Sequence, residues 1–402
     1  TAAFAIDAQQ PQPRQKIVNS IYSCSYAGAV DTKNETTTVM IEDGVLIADM
    51  VKNANVGAVK NGDVGALWLT ANTLDDHCFQ IFIQGKALES LITSANRSEI
   101  YQLTISHPLG RVQFTNRAEI ASLADGEIDY QLEKVNASDL TSYASQQIGN
   151  RPIRRLTLEN NRQTITSAKG SLQLSIPYHA AKNEDKNQLV IYQIEDNGQL
   201  TPVINSLYKT ITDETGNEQF VMQAMIEEPG IYAIGYHTVT ANDISGWSQP
   251  YIHFVLAREI MNTNQQNQFL PNQFVTRADL ARFLYNMSDC QSNFSYNNTF
   301  SDVSQEHPAA NSIAWAYSAG IITGYSDGTF QPNRLVARQE LAAMLHRYSQ
   351  LVGDTYLPRT VALQPFQDHD KIASFAKNAI SDLQQAGILN GRDNGCFAPQ
   401  EY

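Results

Sequence analysis

Arg277 and Arg338 are the residues of this 402-residue chain whose type and setting point most directly to chemistry. Each heads an expected helix, Arg277 in Val275-Thr276-Arg277-Ala278-Asp279-Leu280 and Arg338 in Val336-Ala337-Arg338-Gln339-Glu340-Leu341. A cation in the first helical turn opposes the helix dipole, so local stability gives no reason for it. A guanidinium beside free amides at a helix N-terminus does make a site for carboxylate or phosphate, gripped by a planar fork. The rival reading is an internal ion pair, for instance to Asp302 or Asp368. The residues alone favour neither. Catalytic patterns are missing: the chain spells no H-E-x-x-H, G-x-S-x-G, P-loop or C-x-x-C. Among its histidines, His77, His107, His179 and His237 read as surface or packed residues, and the acid pairs Glu195-Asp196 and Glu227-Glu228 flank turns. Asp/Asn/Gly loops are common, but none spells an EF-hand. No catalytic residue, cofactor or metal site is expected, and the chain is read as not an enzyme.

The elements that must carry the arginines recur. Ile252, Ile260 and Phe269 are repeated in spacing by Ile313, Ile321 and Phe330, and again by Ile380, Ile388 and Phe397. A period of about 60 residues means one supersecondary unit used repeatedly. The middle copy predicts helix, tight loop, helix. Ile313, Ala316, Tyr317 and Gly320 share one helical face, Gly320 is a natural stop, Asp327-Gly328 turns the chain, and Pro332 stays outside a helix. Thr276 and Asp279 form a capping box, with Leu280, Phe283, Leu284 and Met287 as the stripe behind it. In the second copy Glu340 keeps its place, but Ala337 replaces the threonine at a cost of about 1 kcal/mol.

These motifs, Phe300-Ser-Asp302-Val303, Gly320-Ile-Ile322, Gly324-Tyr-Ser-Asp327-Gly328-Thr-Phe330 and the Thr276-Arg277-Ala278-Asp279 segment, resemble the S-layer homology domain. The resemblance covers about residues 240–402, with copies at 241–290, 297–350 and 364–402. The last copy, carrying Phe366-Gln-Asp368 and Gly391-Arg-Asp393-Asn-Gly395-Cys-Phe397, reaches Tyr402 before a second helix. Either a T-R-A-E-like segment follows, or the third unit is incomplete. The first copy departs most, with Glu259 in place of the stop glycine and Asn264-Gln-Gln-Asn267 in place of the glycine loop. The resemblance implies an all-α, pseudo-threefold domain that grips an acidic, often pyruvylated, cell-wall polysaccharide in grooves between repeats. By position it assigns Arg277 and Arg338 as ligand contacts. Gly324, Asp327 and Gly328, with Gly391 and Gly395, would shape the pockets.

A net charge of −13 excludes the basic stripe of a nucleic-acid binder, so an acidic polysaccharide must be held by local cationic pockets. No apolar run approaches a membrane span. The start at Thr1 fits a mature secreted protein and equally a cloned fragment. Cys24–Cys78 and Cys290–Cys396 are candidate disulfides for an oxidising exterior, with four separate thiols as the rival reading. Ahead of the repeats, alternating runs such as Leu172-Gln-Leu174-Ser-Ile176 and Leu189 to Ile194 predict β-rich, sandwich-like structure. It is divided as 1–160, with short helices at 87–92, 118–123 and 138–147, and an antiparallel module at 161–240, the two forming one domain or two. The fold class expected is thus multidomain α+β, with β-rich modules followed by the repeat domain. The function expected is a cell-surface protein anchored through its repeats and displaying a structural or adhesive module. A wall-anchored carbohydrate-active hydrolase and a lattice-forming S-layer subunit are the alternatives.

Overall fold

The structure is a computed structural model. It describes residues 103–115, 126–166, 172–212, 217–288, 299–352 and 359–402, with Ile83, Leu123 and Leu357, and the backbone of the strands between Lys16 and Gln102. The chain divides into two compact units: residues 1–239 with 250–258, and residues 240–249 with 259–402.

Two sheets build the first unit. One orders its strands Lys16–Val18, Ile21–Tyr26, Gly65–Ala71, Ile100–His107, Gly110–Phe114, Leu172–Pro177, Glu218–Ile226 and Leu207–Thr212. The other runs Leu200–Pro202, Leu189–Ile194, Gly230–Tyr236, Ile153–Asn160, Ile128–Lys134, Cys78–Ile83, Thr36–Ile41 and Ala29–Asp31, with Gln163–Thr164 paired to Ile153–Asn160. Pairing is antiparallel except where Ile21–Tyr26, Gly65–Ala71 and Ile100–His107 meet in parallel, as do Thr36–Ile41 and Cys78–Ile83. The strands of 161–240 pair antiparallel as expected, and the parallel pairs all lie among strands before residue 108. Both sheets contain strands from before and after residue 160, joined where Gly110–Phe114 pairs with Leu172–Pro177 and Ile153–Asn160 with Gly230–Tyr236, so the two expected modules form a single unit.

Side chains of both sheets share one apolar cluster, among them Val112, Leu174 and Met222 from the first and Leu132, Leu156 and Ile191 from the second. Leu189–Ile194 is buried on both faces: Leu189 and Ile191 enter that cluster, while Val190, Tyr192 and Ile194 pack behind the sheet with Ile148 and Ala257. A strand covered on both sides must be apolar nearly throughout, which is why its sequence runs Leu-Val-Ile-Tyr. Ile148 ends helix α1 (Ser142–Ile148), capped by Thr141. The expected helix at 138–147 is present in this shorter form. The expected helix at 87–92 and residues 118–122 of the one at 118–123 lie outside the described residues, while Leu123 is helical and buried.

Ala257 ends helix α2 (Gln249–Ala257), which by sequence opens the first repeat yet clusters with the β unit. Arg258 explains the attachment. Its guanidinium is 1 % exposed and donates to the carbonyls of Ser206, Asn187 and Leu189 at 3.0, 2.9 and 2.9 Å. Burial lowers its pKa to about 9.

The second unit holds helices α3 (Arg277–Asn286), α4 (Ala310–Ser318), α5 (Arg338–Val352) and α6 (Lys377–Gln385). Its cores lie between consecutive repeats. Leu280 and Leu284 of α3 pack with Ile313 and Trp315 of α4, and Ala342 of α5 with Ile380 and Leu383 of α6. Phe330 and Phe397, the repeating phenylalanines, are fully buried. Among the described residues no helix is long and apolar enough to cross a membrane, and no cluster of His, Cys, Asp or Glu could hold a metal ion.

Candidate functional site

Each repeat closes its loop with one carboxylate. Asp243 accepts from the amides of Phe269 and Leu270 at 2.8 Å each. Asp302 accepts from Phe330 and Gln331 at 2.8 and 2.7 Å, and Asp368 from Phe397 and Ala398 at 2.7 and 2.8 Å. The residue after each phenylalanine takes a left-handed φ, 58° at Leu270, 58° at Gln331 and 59° at Ala398. The double amide contact helps hold that conformation. Asp302 and Asp368, which could have paired with the arginines, are committed to these loops instead.

The arginines reach forward into the next repeat. Arg277, 7 % exposed, donates Nε to Phe330 O at 2.8 Å and Nη2 to Thr323 O at 3.0 Å. Arg338 repeats this, Nε to Phe397 O at 2.9 Å and Nη2 to Asn390 O at 3.2 Å. The first amides of both helices are also taken: Arg277 N and Ala278 N by the carbonyls of Arg334 and Pro332, Arg338 N and Gln339 N by those of Glu401 and Pro399. The free amides assumed from sequence are therefore not free, because a neighbouring loop supplies acceptors. Each guanidinium keeps Nη1 without a protein partner among the described residues. Burial lowers the pKa of both arginines, most directly at Arg277.

The residues assigned to binding thus fall into two groups, each spanning two repeats. Arg277 faces the loop of Gly324, Asp327 and Gly328, and Arg338 faces the loop of Gly391 and Gly395. Gly328 and Gly395 carry φ of 80° and 73°, which the turns require. Gly324 is needed for a different reason: a Cβ there would lie 2.4 Å from the Phe300 ring, and at Gly391 2.8 Å from the Phe366 ring. Asp327 accepts from Thr329 N and Oγ1 at 3.0 and 2.7 Å, and the Thr329 contact holds its carboxyl below the ordinary value.

Sequence reasoning missed a second cation in each group. Arg334 shares the Tyr325 ring with Arg277, their guanidinium carbons 5.6 and 5.0 Å from its centroid, and pairs with Glu340 at 2.7 Å. Arg392 adds positive charge near Arg338 and pairs with Glu401 at 2.7 Å. Neither recurs at a fixed place in the repeat, so the period does not reveal them.

The capping box of Thr276 and Asp279 forms as expected. In the next repeat only half of it remains, Glu340 accepting from Ala337 N at 3.0 Å. Cys396 is a free thiol, so the expected bridge to Cys290 is not formed. Its amide and carbonyl are fixed in the loop turn by Asn394 Oδ1 and Arg392 N. Cys290 lies outside the described residues. Cys24 and Cys78 fall on strands of different sheets, their side chains outside the described set.

Residues 241–281, 299–342 and 365–402 match the model of the S-layer homology domain, and these are the segments that carry the carboxylate clamps. The C-terminal region consists of three S-layer homology repeats. Similar proteins include exoglucanase XynX of Acetivibrio thermocellus, 32% identical over 40% of this chain and 15% of that protein. The amylopullulanase of Thermoanaerobacterium thermosulfurigenes is 32% identical over 42% of this chain and 9% of its own length. The cellulosome-anchoring protein of Acetivibrio thermocellus is 27% identical over 33% of this chain and 30% of its own length. The chain therefore spans under a third of each of these relatives. Their shared S-layer homology character bears on attachment rather than on what is attached.

Proposed function

We propose that the three repeats anchor this chain non-covalently to an acidic cell-wall polysaccharide, holding it at the outer surface of a Gram-positive cell. In this reading the repeats are a pseudo-threefold anchor, and the two β-sheets form a non-enzymatic sandwich displayed as a structural or adhesive module. The observation that carries the reading is the pair of two-arginine clusters, Arg277 with Arg334 and Arg338 with Arg392, in a chain of net charge −13. Each brings an arginine with an uncommitted Nη1 to a glycine loop of the next repeat. A carboxylate or pyruvyl ketal on a sugar is the kind of ligand such a fork holds. The names of the exoglucanase and amylopullulanase relatives favour a second reading, a glycan hydrolase on the same anchor.

Sedimentation with purified cell walls tests the site. Arg277→Ala with Arg338→Ala removes the proposed contacts but also the stitches between repeats, so its effect on melting must be measured beside its effect on binding. Arg334→Ala with Arg392→Ala keeps those stitches. Both double variants are expected to weaken wall binding at least about tenfold, a loss of one charged contact's worth. If the Arg334/Arg392 variant and the Arg277/Arg338 variant both pellet like the parent, the arginine site is wrong.

A further inference from the structure

Both acids of the loop between strands Leu172–Pro177 and Leu189–Ile194 turn inward. Glu184 accepts from Tyr178 Oη at 2.7 Å and Ala181 N at 2.8 Å, and pairs with Arg151 at 2.7 Å. Asp185 accepts from Asn187 N at 2.9 Å and meets His253 Nδ1 at 2.5 Å. The cations of the same loop, Lys182 and Lys186, stay exposed, and neither meets a carboxylate among the described residues. A chain of net charge −13 thus carries a loop whose outer surface is positive.

That loop borders a group of rings. Phe220 shares the strand face that carries Met222, Ala224 and Ile226 into the core, yet it is 37 % exposed where they are buried. The loop runs beside it, Tyr178 N donating to Phe220 O at 3.1 Å and Ala180 N to Tyr208 Oη at 3.3 Å. The Tyr208 ring lies parallel to Phe220 within 7°, at 6.0 Å between centroids, and the exposed His179 ring is 4.9 Å from Phe220. Lys186 holds its ammonium 5.1 Å from the Tyr208 centroid, within cation–π range. Glu218, two residues from Phe220 on the same face, is the one acid that strands 207–212 and 218–226 place there, against two lysines of the loop. Packing does not require a phenylalanine at this exposed strand end, where Thr210 serves directly opposite. A sugar ring turns C–H groups to an aromatic face and hydroxyls to the polar groups beside it, and an acid on the sugar seeks a cation.

We propose that this ledge of the β unit, Phe220 and Tyr208 with His179 and Lys186, binds a sugar of an acidic glycan, the rings taking the sugar face and Lys186 its acid group. The source of the glycan rests on the anchoring reading above: the β unit grips the same wall polysaccharide as the repeats, and two contacts on one polymer bind tighter than either alone. Hydroxyl-radical footprinting of the full chain with acidic polysaccharide released from purified cell walls tests it. Phe220 and His179 are expected to be protected in the parent and in Arg334→Ala with Arg392→Ala. Most of that protection should be lost in Lys186→Gln, which leaves the rings in place, and when the carboxyl groups of the polymer are reduced to alcohols. Phe220→Ser is expected to lower affinity for the soluble polysaccharide about tenfold. Unprotected Phe220 at saturating polysaccharide, equal protection by the reduced polymer, or full protection in Lys186→Gln overturns the proposal. Protection that grows with protein concentration alone also overturns it, because a second copy then covers the ledge. The two readings fail separately. Unprotected Phe220 with arginine-dependent wall binding removes the ledge and leaves the anchor, while protected Phe220 with arginine-independent binding does the reverse.

Discussion

Gly324 and Phe300 form a pair whose terms can be separated. A Cβ on Gly324 would meet the Phe300 ring at 2.4 Å and Thr329 O at 3.0 Å, so Gly324→Ala forces the ring or the loop to shift. The first repeat makes the opposite choice at both places, Ala241 for the ring and Thr263 for the glycine. Gly324→Ala is therefore expected to cost about 1–3 kcal/mol in the native chain and markedly less beside Phe300→Ala. Urea unfolding of the four members of this cycle measures it, and additive costs would remove the ring as the cause. The arginines illustrate what residue types reveal and what they hide. A cation at a helix head was visible as an anomaly in Arg277 and Arg338. Its partners, the carbonyls of Phe330, Thr323, Phe397 and Asn390, were not, because every residue carries that acceptor and only the fold says which one is near.

At the scale of elements, the repeat spacing predicted α3, α4, α5 and α6 from their apolar faces, and the alternating runs predicted most strands of the second half. Leu207–Thr212 escaped notice because it is an edge strand with a largely exposed, polar sequence. Helix α2 lies within the first matched repeat, as foreseen, yet its contacts cluster it with the β unit. The cause is a local exchange: Arg258-Glu259 stands where the other repeats have Ala319-Gly320 and Ala386-Gly387. Glu259 keeps the left-handed turn at φ 57°, matching 70° and 72° at the two glycines, while Arg258 is free to plug three carbonyls of the β unit. A fragment ending at residue 258 should therefore unfold at higher urea than one ending at 239. In the full chain Arg258→Ala should cost about 3 kcal/mol or more by orphaning those carbonyls. Equal midpoints for the two fragments would show that α2 contributes nothing to the unit it packs on.

For the whole molecule, the two units should respond to acid in different ranges. His107 is buried in the first unit and accepts from Leu109 N through Nδ1. Burial, aided by Arg154, lowers its pKa from 6.5 to about 4. The unfolded chain thus binds a proton below pH 6.5 that the folded unit refuses. Stability from this group is complete above pH 6.5, declines as pH falls, and is gone below about 4, at most about 3 kcal/mol in all. In the repeat unit the Phe269 and Leu270 amides hold the Asp243 carboxyl below its ordinary 3.8. At Asp368 burial pushes upward, but the Phe397 and Ala398 amides outweigh it and the carboxyl again lies low. These clamps are fully charged above the ordinary carboxylate range, and their contribution is lost as pH falls below 3.8 and through the depressed folded values. Urea midpoints followed from pH 7 to pH 3 should fall in two stages. His107→Gln should flatten the stage between pH 6.5 and 4 and leave the later one. Asp243→Asn with Asp368→Asn should do the reverse. A full early slope in His107→Gln would mean that the buried imidazole is not what makes the β unit acid-sensitive.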